Sequence, residues 1–417
     1  MDKIIDSIYA GIVKGYKKSF DISILTGSSG KILFLAYLYN STRNEEVKQD
    51  LECLIEHTIE LIINQNPDQL DFSYGRGVTG FYWVINHLYR NKILFKDSVM
   101  LKDILTKEID NRIVESLRKD FSVSKYDPLY GYIGKGLYFI AKPESKFTTG
   151  IIGEILATLT RDRVRIDNES ITWVDVRLKY EQHEPNNERL VLSDCGQAHG
   201  VTGIISFLCT VLEKFESKEI KAQAESLLRP AVNWLLSQEI PKEWRGVFMF
   251  PPAVNLLQDD RARLKKMGRL GWCYGDNVIA YTLYKASSIL NEERYRKKAD
   301  EITLNCCQVS IEQSGVLDLN HKKIFDPSLC HGSAGIAHLY QQIYHYNKSP
   351  LVLEAISSWK ELTKTYTRTY LESGQLRSLT EVQEEAFDFL YGYSGIGLHL
   401  ISDFYSNHGW ESCMMID

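Results

Sequence analysis

The sequence predicts an all-α protein, a closed two-layer α/α ring of seven inner and seven outer helices with a small β-rich extension. Three observations predict it. A glycine phrase recurs seven times, an apolar segment follows each copy, and a segment with a single apolar stripe separates successive copies. Stacked or ring-closed repeats share one continuous core, so we expect residues 1–417 to form a single domain.

The repeated phrase is a glycine, two further residues and usually a second glycine. Its first glycines lie 50, 54, 69, 75, 57 and 60 residues apart, and only the fifth copy lacks the second glycine. Glycine allows a positive φ and a close backbone approach, so each phrase is expected to form a sharp turn into an inner helix. The copies begin at Gly27, Gly77, Gly131, Gly200, Gly275, Gly332 and Gly392.

The segments that follow the glycines are apolar on nearly every side, as in residues 32–38 and 204–208. A helix of that kind must be enclosed by protein. The segments between the copies have one apolar stripe at helical spacing and are predicted to form outer helices with one wet face. These outer helices are predicted near residues 3–18, 45–64, 99–120, 146–162, 217–239, 292–312 and 351–372.

Two of the spacings are long enough to hold additional structure. Residues 163–193 contain a strict alternation at 174–180, which predicts a strand, with Val164 and Ile166 as its partner strand. We therefore expect an inserted β-rich extension at 163–193. The second excess, residues 244–266, is predicted to be an ordered loop over one face of the ring.

Composition narrows the class of protein. A net charge of -5 gives no reason to expect a nucleic-acid partner. The sequence has neither a secretory start nor a run of about 18 apolar residues, which favours a cytoplasmic protein. The eight cysteines are far apart in a large chain, which favours reduced thiols over a disulfide framework.

When the seven copies are aligned on their first glycine, equivalent positions of the repeats can be compared with one another. Two residues before that glycine, Cys273 and Cys330 occupy the same position in neighbouring repeats, and His331 follows Cys330. Two thiolates and an imidazole are good zinc ligands, and three protein ligands leave the fourth tetrahedral position open, as in catalytic sites. The alternative is a pair of ordinary buried cysteines.

The neighbouring repeats supply titratable groups. His199 occupies in the fourth repeat the position of His331 in the sixth, and Asp127 lies four residues before Gly131. Together they predict an acid/base pair beside a metal. Asp388 matches Asp127 in the seventh repeat, so the alternative is an aspartate that only binds turn amides.

A further departure from the repeat lies six residues before the glycine. Four copies have an aspartate there, which indicates a repeated capping device, whereas the fifth copy has Arg269. We predict that Arg269 faces the site. The four aspartates are Asp21, Asp71, Asp194 and Asp326.

The phrases at 271–275 (GWCYG), 329–332 (LCHG) and 198–200 (AHG) resemble those of the lanthionine cyclases of the LanC family. The resemblance covers essentially the whole chain. It implies an α/α toroid with a catalytic Zn²⁺ bound by Cys273, Cys330 and His331. It also places His199 and Asp127 at the family's acid/base positions and Arg269 at its arginine, and it implies that the extension at 163–193 covers the toroid mouth. The sequence after GWCYG, Asp276-Asn277-Val278, departs from many members.

The activity implied by the resemblance is addition of peptide cysteine thiolates to dehydroalanine or dehydrobutyrine, which closes lanthionine and methyllanthionine rings. The implied partners are a dehydrated precursor peptide, a separate dehydratase and a loosely associated membrane-bound export complex. Two alternatives stay open. One is a LanC-like enzyme that adds glutathione to dehydrated residues, and the other is a non-catalytic peptide-binding scaffold whose zinc only locks adjacent repeats.

Overall fold

The computed structural model of the chain describes residues 3–18, 20–93, 104–175, 191–257, 268–317, 324–373, 386–405 and 409–417. Within these ranges the predominant structure is α-helix, with four short strands. The predicted all-α class is therefore confirmed. No helix in these ranges is both long and apolar enough to cross a membrane.

Fourteen α-helices of the described chain alternate between two layers. The inner helices are α2 (Ser28–Thr42), α4 (Val78–Arg90), α6 (Tyr132–Ile140), α8 (Val201–Lys214), α10 (Asp276–Leu290), α12 (Ser333–Tyr346) and α14 (Tyr393–Tyr405). The outer helices are α1 (Lys3–Gly15), α3 (Glu45–Asn64), α5 (Lys107–Ser122), α7 (Lys146–Asp162), α9 (Lys218–Ser237), α11 (Glu293–Cys307) and α13 (Pro350–Ser373). The sequence therefore located all seven helices of each layer, although residues 99–103 of the third outer prediction lie outside the described ranges.

The inner helices form a closed ring. Each packs against the next inner helix along the chain, and α14 packs against α2. The outer helices mostly cover the inner helix that precedes them along the chain. The exceptions are α5, which packs on α6, and α1, which packs on α14 and so joins the first helix of the chain to the last.

The first glycine of each phrase is required by a close backbone approach. A Cβ at Gly27 would lie 2.4 Å from the carbonyl oxygen of Asp21, and one at Gly275 would lie 1.9 Å from that of Arg269. The carbonyl lies six residues before the glycine in both cases, and the inner helix begins at the next residue. Among the first glycines, positive φ occurs only at Gly275, whose φ is +131°. A close backbone approach is therefore the general reason why these positions need glycine, and the positive φ is an additional reason at Gly275.

Burial separates the two layers as predicted. In α2 every residue from Ser28 to Leu38 is buried, whereas α3 buries one stripe that includes Val47, Leu51 and Leu54. An inner helix has neighbours on both sides, an outer helix behind it and the ring centre in front, so it has no face for water.

The two long spacings meet in a small sheet. Strand β1 (Val164–Arg165) pairs antiparallel with β2 (Ile171–Thr172), and β3 (Leu192–Asp194) pairs antiparallel with β4 (Ala253–Asn255). β3 lies at the end of the long segment at 163–193, and β4 lies in the long segment at 244–266. The segment that was predicted to be a loop therefore contributes a strand to the extension.

The predicted partner of Val164 was wrong. Val164 pairs with Thr172 instead. Val174 and Asp175 are not in a strand, and residues 176–190, which include the rest of the predicted strand, lie outside the described ranges. The physical reason is a tight turn, in which Ile166 N–H donates to the Ser170 carbonyl at 3.0 Å. This turn closes the hairpin before the alternating segment begins.

A backbone belt joins the repeats at the end of the ring where the inner helices begin. It consists of the residues two before each first glycine: Leu25, Gly75, Leu129, Ala198, Cys273, Cys330 and Leu390. In six of the seven steps the N–H of one belt residue donates to the carbonyl of the belt residue in the next repeat, and Leu390 returns to Leu25 at 2.9 Å. The belt therefore fixes the two cysteines side by side.

The centre of the ring is occupied by a core segment, residues 409–417. Its residues Trp410, Cys413, Met414 and Ile416 are buried among the inner helices. Trp272 Nε1 donates to the Met414 carbonyl at 3.0 Å, and Tyr281 Oη donates to the Asp417 carbonyl at 2.7 Å. This segment supports the belt from beneath.

Candidate functional site

A cavity of about 280 Å³ opens above the belt, and residues of five consecutive repeats line it. Five of the six predicted site residues are in its wall, and Asp127 lies behind His199. The cavity is lined by Leu129, Tyr130, Asp194, Ala198, His199, Arg269, Trp272, Cys273, Tyr274, Cys330, His331, Leu390 and Tyr391. The structure thus brings the predicted residues together, and their chemical roles remain predictions.

Cys273 and Cys330 are adjacent because the belt holds their backbones together. Cys273 N–H donates to the Cys330 carbonyl at 3.2 Å, and the Cys330 thiol donates a hydrogen bond to the Cys273 sulfur. That hydrogen bond, with the charges of His331 and Arg269, lowers the pKa of Cys273 to about 6 against the opposing effect of burial. Burial and the neighbouring Cys273 raise the pKa of Cys330. Their contact therefore shifts the pKa values of the two thiols in opposite directions, that of Cys273 down and that of Cys330 up.

His331 is oriented by an aspartate from its own turn. Its Nδ1 lies 2.7 Å from Asp326 Oδ2, so Nδ1 carries the proton and Nε2 is the nitrogen with a lone pair when the ring is neutral. Burial lowers the pKa of His331, but the hydrogen bond and the charge of Asp326 outweigh it, and the net pKa is raised. A carboxylate behind a histidine is a common outer-shell partner of metal-ligating imidazoles.

The donor set fits zinc in its chemistry, with two contacting thiols and an imidazole in one cavity wall. In the described part of the chain, however, no three or more His, Cys, Asp or Glu side chains are arranged to hold a metal ion as they stand. Binding of zinc by Cys273, Cys330 and His331 therefore stays a prediction.

The acid/base pair is joined directly. Asp127 is 3% exposed, and its Oδ2 lies 2.8 Å from His199 Nδ1. Its Oδ1 accepts from the N–H groups of Leu129 at 2.8 Å and Tyr130 at 2.9 Å. The ring of Tyr130 stacks on His199 with centroids 5.5 Å apart. His199 is thus fixed by a carboxylate on one side and an aromatic face on the other, with Nε2 available for proton transfer.

Asp127 also explains the one missing step of the belt. The Leu129 N–H, which by analogy would donate to Ala198, donates to Asp127 instead. The Asp127–His199 side-chain contact therefore bridges the third and fourth repeats where the backbone does not. Asp388, at the same repeat position, accepts from Tyr391 N–H at 2.6 Å while the Leu390 step stays intact. The two aspartates share a turn role, and Asp127 also contacts a histidine.

Arg269 faces the cavity and is half-buried. Its guanidinium lies over the Tyr274 ring at 4.7 Å from the centroid. Burial raises the pKa of Tyr274, and the arginine charge opposes that rise. Arg269 therefore presents positive charge beside the thiols, and that charge contributes to the lowered pKa of Cys273.

The prediction of a repeated helix-capping device is wrong. The N-cap residues of the inner helices in these four repeats are Gly27, Gly77, Gly200 and Gly332, none of which makes a side-chain cap hydrogen bond, and the aspartates bind the preceding turn instead. Asp21, Asp71, Asp194 and Asp326 each accept from the N–H two residues later, at 2.8, 2.7, 2.6 and 2.8 Å. In the sixth repeat the second carboxylate oxygen holds His331, a role that the capping pattern alone did not predict.

Two further contributors were missed. The Tyr391 hydroxyl donates to the Cys330 sulfur, and the nearby charge of Cys330 raises the pKa of Tyr391. The available signal was its position directly before Gly392, which matches the positions of His199 and His331 in their repeats. Asp276, the residue that departs from many members, accepts from the N–H groups of Met249 at 2.6 Å and Phe250 at 3.1 Å. It ties the second excess segment to the turn that carries Cys273.

Comparisons with known proteins agree on the family. A stretch of 175 residues, 42% of this chain, is 26% identical to the protein of Danio rerio named glutathione S-transferase LANCL1, and the match spans 36% of that relative's length. The solved structure of nisin cyclase superposes with a TM-score of 0.74 at 18% identity, over 99% of this chain and 96% of that one, which shows a shared fold. A family model described as lanthionine synthetase C-like protein matches residues 12–415. The chain therefore belongs to the lanthionine synthetase C-like family.

Proposed function

We propose that the protein is a zinc-dependent lanthipeptide cyclase, which adds the cysteine thiol of a dehydrated peptide to dehydroalanine or dehydrobutyrine in the same peptide. The observation that carries the proposal is the placement of Cys273, Cys330 and His199 in the wall of one cavity, with Asp127 behind His199 at 2.8 Å from its Nδ1. Membership of the lanthionine synthetase C-like family and the fold shared with nisin cyclase support it.

The reaction forms a carbon–sulfur bond at the β-carbon and leaves an enolate that must gain a proton at the α-carbon. The thiol loses one proton and the α-carbon gains one, so a single group can carry both transfers. His199 is suited to this, because Asp127 keeps the proton on Nδ1 and leaves Nε2 to accept and donate.

The enolate oxygen develops negative charge and needs a positive group within reach. Arg269 supplies a half-buried guanidinium in the same wall, held against Tyr274. A preorganised charge in a partly dry site stabilises a developing oxyanion more than a mobile one in water does. Arg269 is therefore assigned to the enolate.

Cys273, Cys330 and His331 are the residues that would hold zinc. When bound, zinc acts as a Lewis acid that favours the thiolate of an incoming thiol, whose ordinary pKa is about 8.5. Tyr391 and Asp326 would orient two of the three ligands through the hydrogen bonds that they already make.

The test is the metal content and ring-forming rate of Cys273→Ala and Cys330→Ala, measured by elemental analysis and by mass spectrometry after thiol alkylation. Both variants are expected to lose zinc and ring formation. Cys306→Ala, another buried cysteine on the outer helix α11, is the matched control and should retain both. Full zinc loading with normal ring closure in either site variant would remove the proposal.

The name of one relative supports an alternative source of the thiol. The Danio rerio protein is named a glutathione S-transferase, and its match covers 42% of this chain. In this alternative the thiol comes from glutathione and the dehydrated residue from another molecule. Incubation of purified protein with glutathione and a dehydroalanine peptide that lacks cysteine distinguishes the two activities, since only the alternative yields an adduct.

The remaining inferences from the sequence stay predictions. They are a dehydrated precursor peptide as substrate, a separate dehydratase, an association with a membrane-bound export complex and a cytoplasmic location. Affinity purification of the tagged protein from the cells that make it, followed by mass spectrometry, would identify the dehydratase and the exporter.

A further inference from the structure

Cys273 and Cys330 are close enough for a covalent bond between their sulfurs. Cys273 N–H donates to the Cys330 carbonyl at 3.2 Å, and the Cys330 thiol donates a hydrogen bond to the Cys273 sulfur. Backbones joined by such hydrogen bonds lie about 4.7–4.9 Å apart, and a disulfide spans Cα separations of roughly 4.4–6.8 Å. Since the sulfurs already touch, the two side chains also point toward each other. The belt therefore holds the pair in a geometry that a disulfide accepts.

The two sulfurs differ in their access to solvent. Cys273 is half-buried, whereas Cys330 is 3% exposed, and both line the site cavity of about 280 Å³. A small oxidant such as a peroxide can therefore reach the Cys273 sulfur from the cavity. Arg269 lies in the same wall, and a partly exposed thiol beside a cation is typical of cysteines that react with oxidants. Cys330 is the adjacent thiol that can react with an oxidised Cys273.

The other six cysteines lack this combination of access and a facing thiol within the described ranges, which include all eight. Cys306 and Cys307 are consecutive on α11, and successive residues of a helix point about 100° apart. Cys53 is exposed on α3 and contacts Tyr16. The remaining three are buried and do not line the site cavity: Cys195, Cys209 and Cys413.

We propose that Cys273 and Cys330 form a reversible disulfide on exposure to a peroxide, and that this disulfide is a redox switch of the site. In the first step the Cys273 sulfur attacks a peroxide oxygen and the O–O bond breaks. The sulfur is oxidised by two electrons to a sulfenic acid, and the other peroxide oxygen leaves as water with the thiol proton. In the second step the Cys330 sulfur attacks the Cys273 sulfur, the S–O bond breaks, and the hydroxyl leaves as a second water with the Cys330 proton.

The consequence of the disulfide follows from the proposed ligand set. Zinc binds cysteine as the thiolate, and a disulfide contains none. Oxidation therefore removes two of the three residues that would hold zinc, and reduction by a dithiol returns them. The role as a switch rests on the proposed function, whereas formation of the disulfide in the metal-free protein does not.

The experiment follows thiols, disulfide and zinc separately. The full-length protein is made metal-free with a chelator and treated with one equivalent of hydrogen peroxide. Free thiols are counted in denaturant with a chromogenic thiol reagent, and the disulfide is located by non-reducing peptide mapping. The proteins are wild type, Cys330→Ala and the controls Cys306→Ala and Cys53→Ala, one buried and one exposed. Zinc-loaded wild type is treated in the same way, and a zinc-sensitive dye measures the metal that it releases.

Metal-free wild type is expected to lose two of its eight thiols, both in a disulfide between Cys273 and Cys330, and dithiothreitol should restore them. Cys306→Ala and Cys53→Ala should lose the same two thiols. Cys330→Ala should lose one thiol, at Cys273, as a sulfenic acid that dimedone labels, because no second thiol displaces the hydroxyl. The zinc-loaded protein should release one zinc ion for each disulfide formed.

Retention of all eight thiols in wild type, a disulfide that involves another cysteine, or oxidation of Cys273 to a sulfinic acid with Cys330 still free would overturn the inference. These measurements use wild type, so they decide the matter even where Cys330→Ala does not fold. A zinc-loaded protein that keeps its metal while the disulfide forms would overturn the switch. If the disulfide forms but the zinc-loaded protein closes no thioether ring, the cyclase function fails and the disulfide stands. If rings close and no disulfide forms, the cyclase function stands and this inference fails.

Discussion

Asp127→Asn is expected to leave the protein folded and to remove most of the proposed ring-forming activity. The amide oxygen can still accept from Leu129 and Tyr130, which Asp127 Oδ1 binds at 2.8 and 2.9 Å. The amide nitrogen, however, replaces the oxygen that lies 2.8 Å from His199 Nδ1 and is itself a donor. The imidazole must then carry its proton on Nε2, the wrong nitrogen for accepting one.

The two consequences differ in size. The loss of one charge-assisted hydrogen bond to a half-buried histidine should lower the free energy of unfolding by about 1 kcal/mol. The loss of general acid/base catalysis should lower the rate of ring closure by about 10² to 10⁴. Asp127→Ala should lower the free energy of unfolding further, because it leaves the N–H groups of Leu129 and Tyr130 without this acceptor, at about 1–3 kcal/mol each.

The assays are urea unfolding for stability and mass spectrometry of alkylated peptide for the rate of ring closure. Asp388→Asn is the matched control, since Asp388 occupies the same repeat position and binds Tyr391 N–H. It should keep the wild-type rate. The double variant Asp127→Asn/His199→Ala should be no slower than His199→Ala, because the two residues act as a unit. A wild-type rate in Asp127→Asn would refute the reasoning.

Three further predictions concern other parts of the molecule. Gly275→Ala should lower the free energy of unfolding by at least about 2 kcal/mol in urea, because φ is +131° and a Cβ would lie 1.9 Å from the Arg269 carbonyl; Gly150→Ala, where nothing lies within 4 Å, is the control and should be neutral or stabilising. The pKa of buried His87 is lowered to about 4, mainly by burial, so stability is complete above the unfolded pKa of 6.5 and is lost as the pH falls toward 4; the loss at pH 5 should be about 2 kcal/mol and absent from His87→Gln, and an equal loss in both proteins would contradict it. Removal of metal with EDTA should abolish formation of the thioether ring in the peptide and leave the helical circular dichroism of the protein unchanged, because apolar packing closes the ring of helices. Unchanged activity after complete removal of zinc would contradict this prediction.

The repeat made the fold predictable. Inner helices begin directly after the first glycine in every copy, and α3 and α7 match their predicted bounds. What the sequence could not give was the pairing between layers, because a periodic pattern does not say whether an outer helix covers the preceding or the following inner one. The hairpin of β1 and β2 was also missed, since the alternation at 174–180 was stronger than the local turn at 167–170.

The site was predictable where a residue departed from its own repeat. Cys273, Cys330, His199 and Arg269 stood out in this way, and all four line one cavity. Contacts between residues that are far apart in the sequence could not be predicted in this way, because they do not alter the repeat pattern. The core segment is the clearest example, because Met414 accepts from Trp272 across a separation of 142 residues and no periodicity connects the two.

The core segment also limits how a long peptide can move on the protein. Residues 409–417 fill the space that the inner helices enclose in the described chain, so a peptide has no route through the torus from one face to the other. For the proposed peptide substrate, we therefore expect entry and exit on the same side of the ring, above the belt. A peptide with several cysteines must therefore dissociate or slide laterally between successive closures, and already closed rings need never be threaded through a channel.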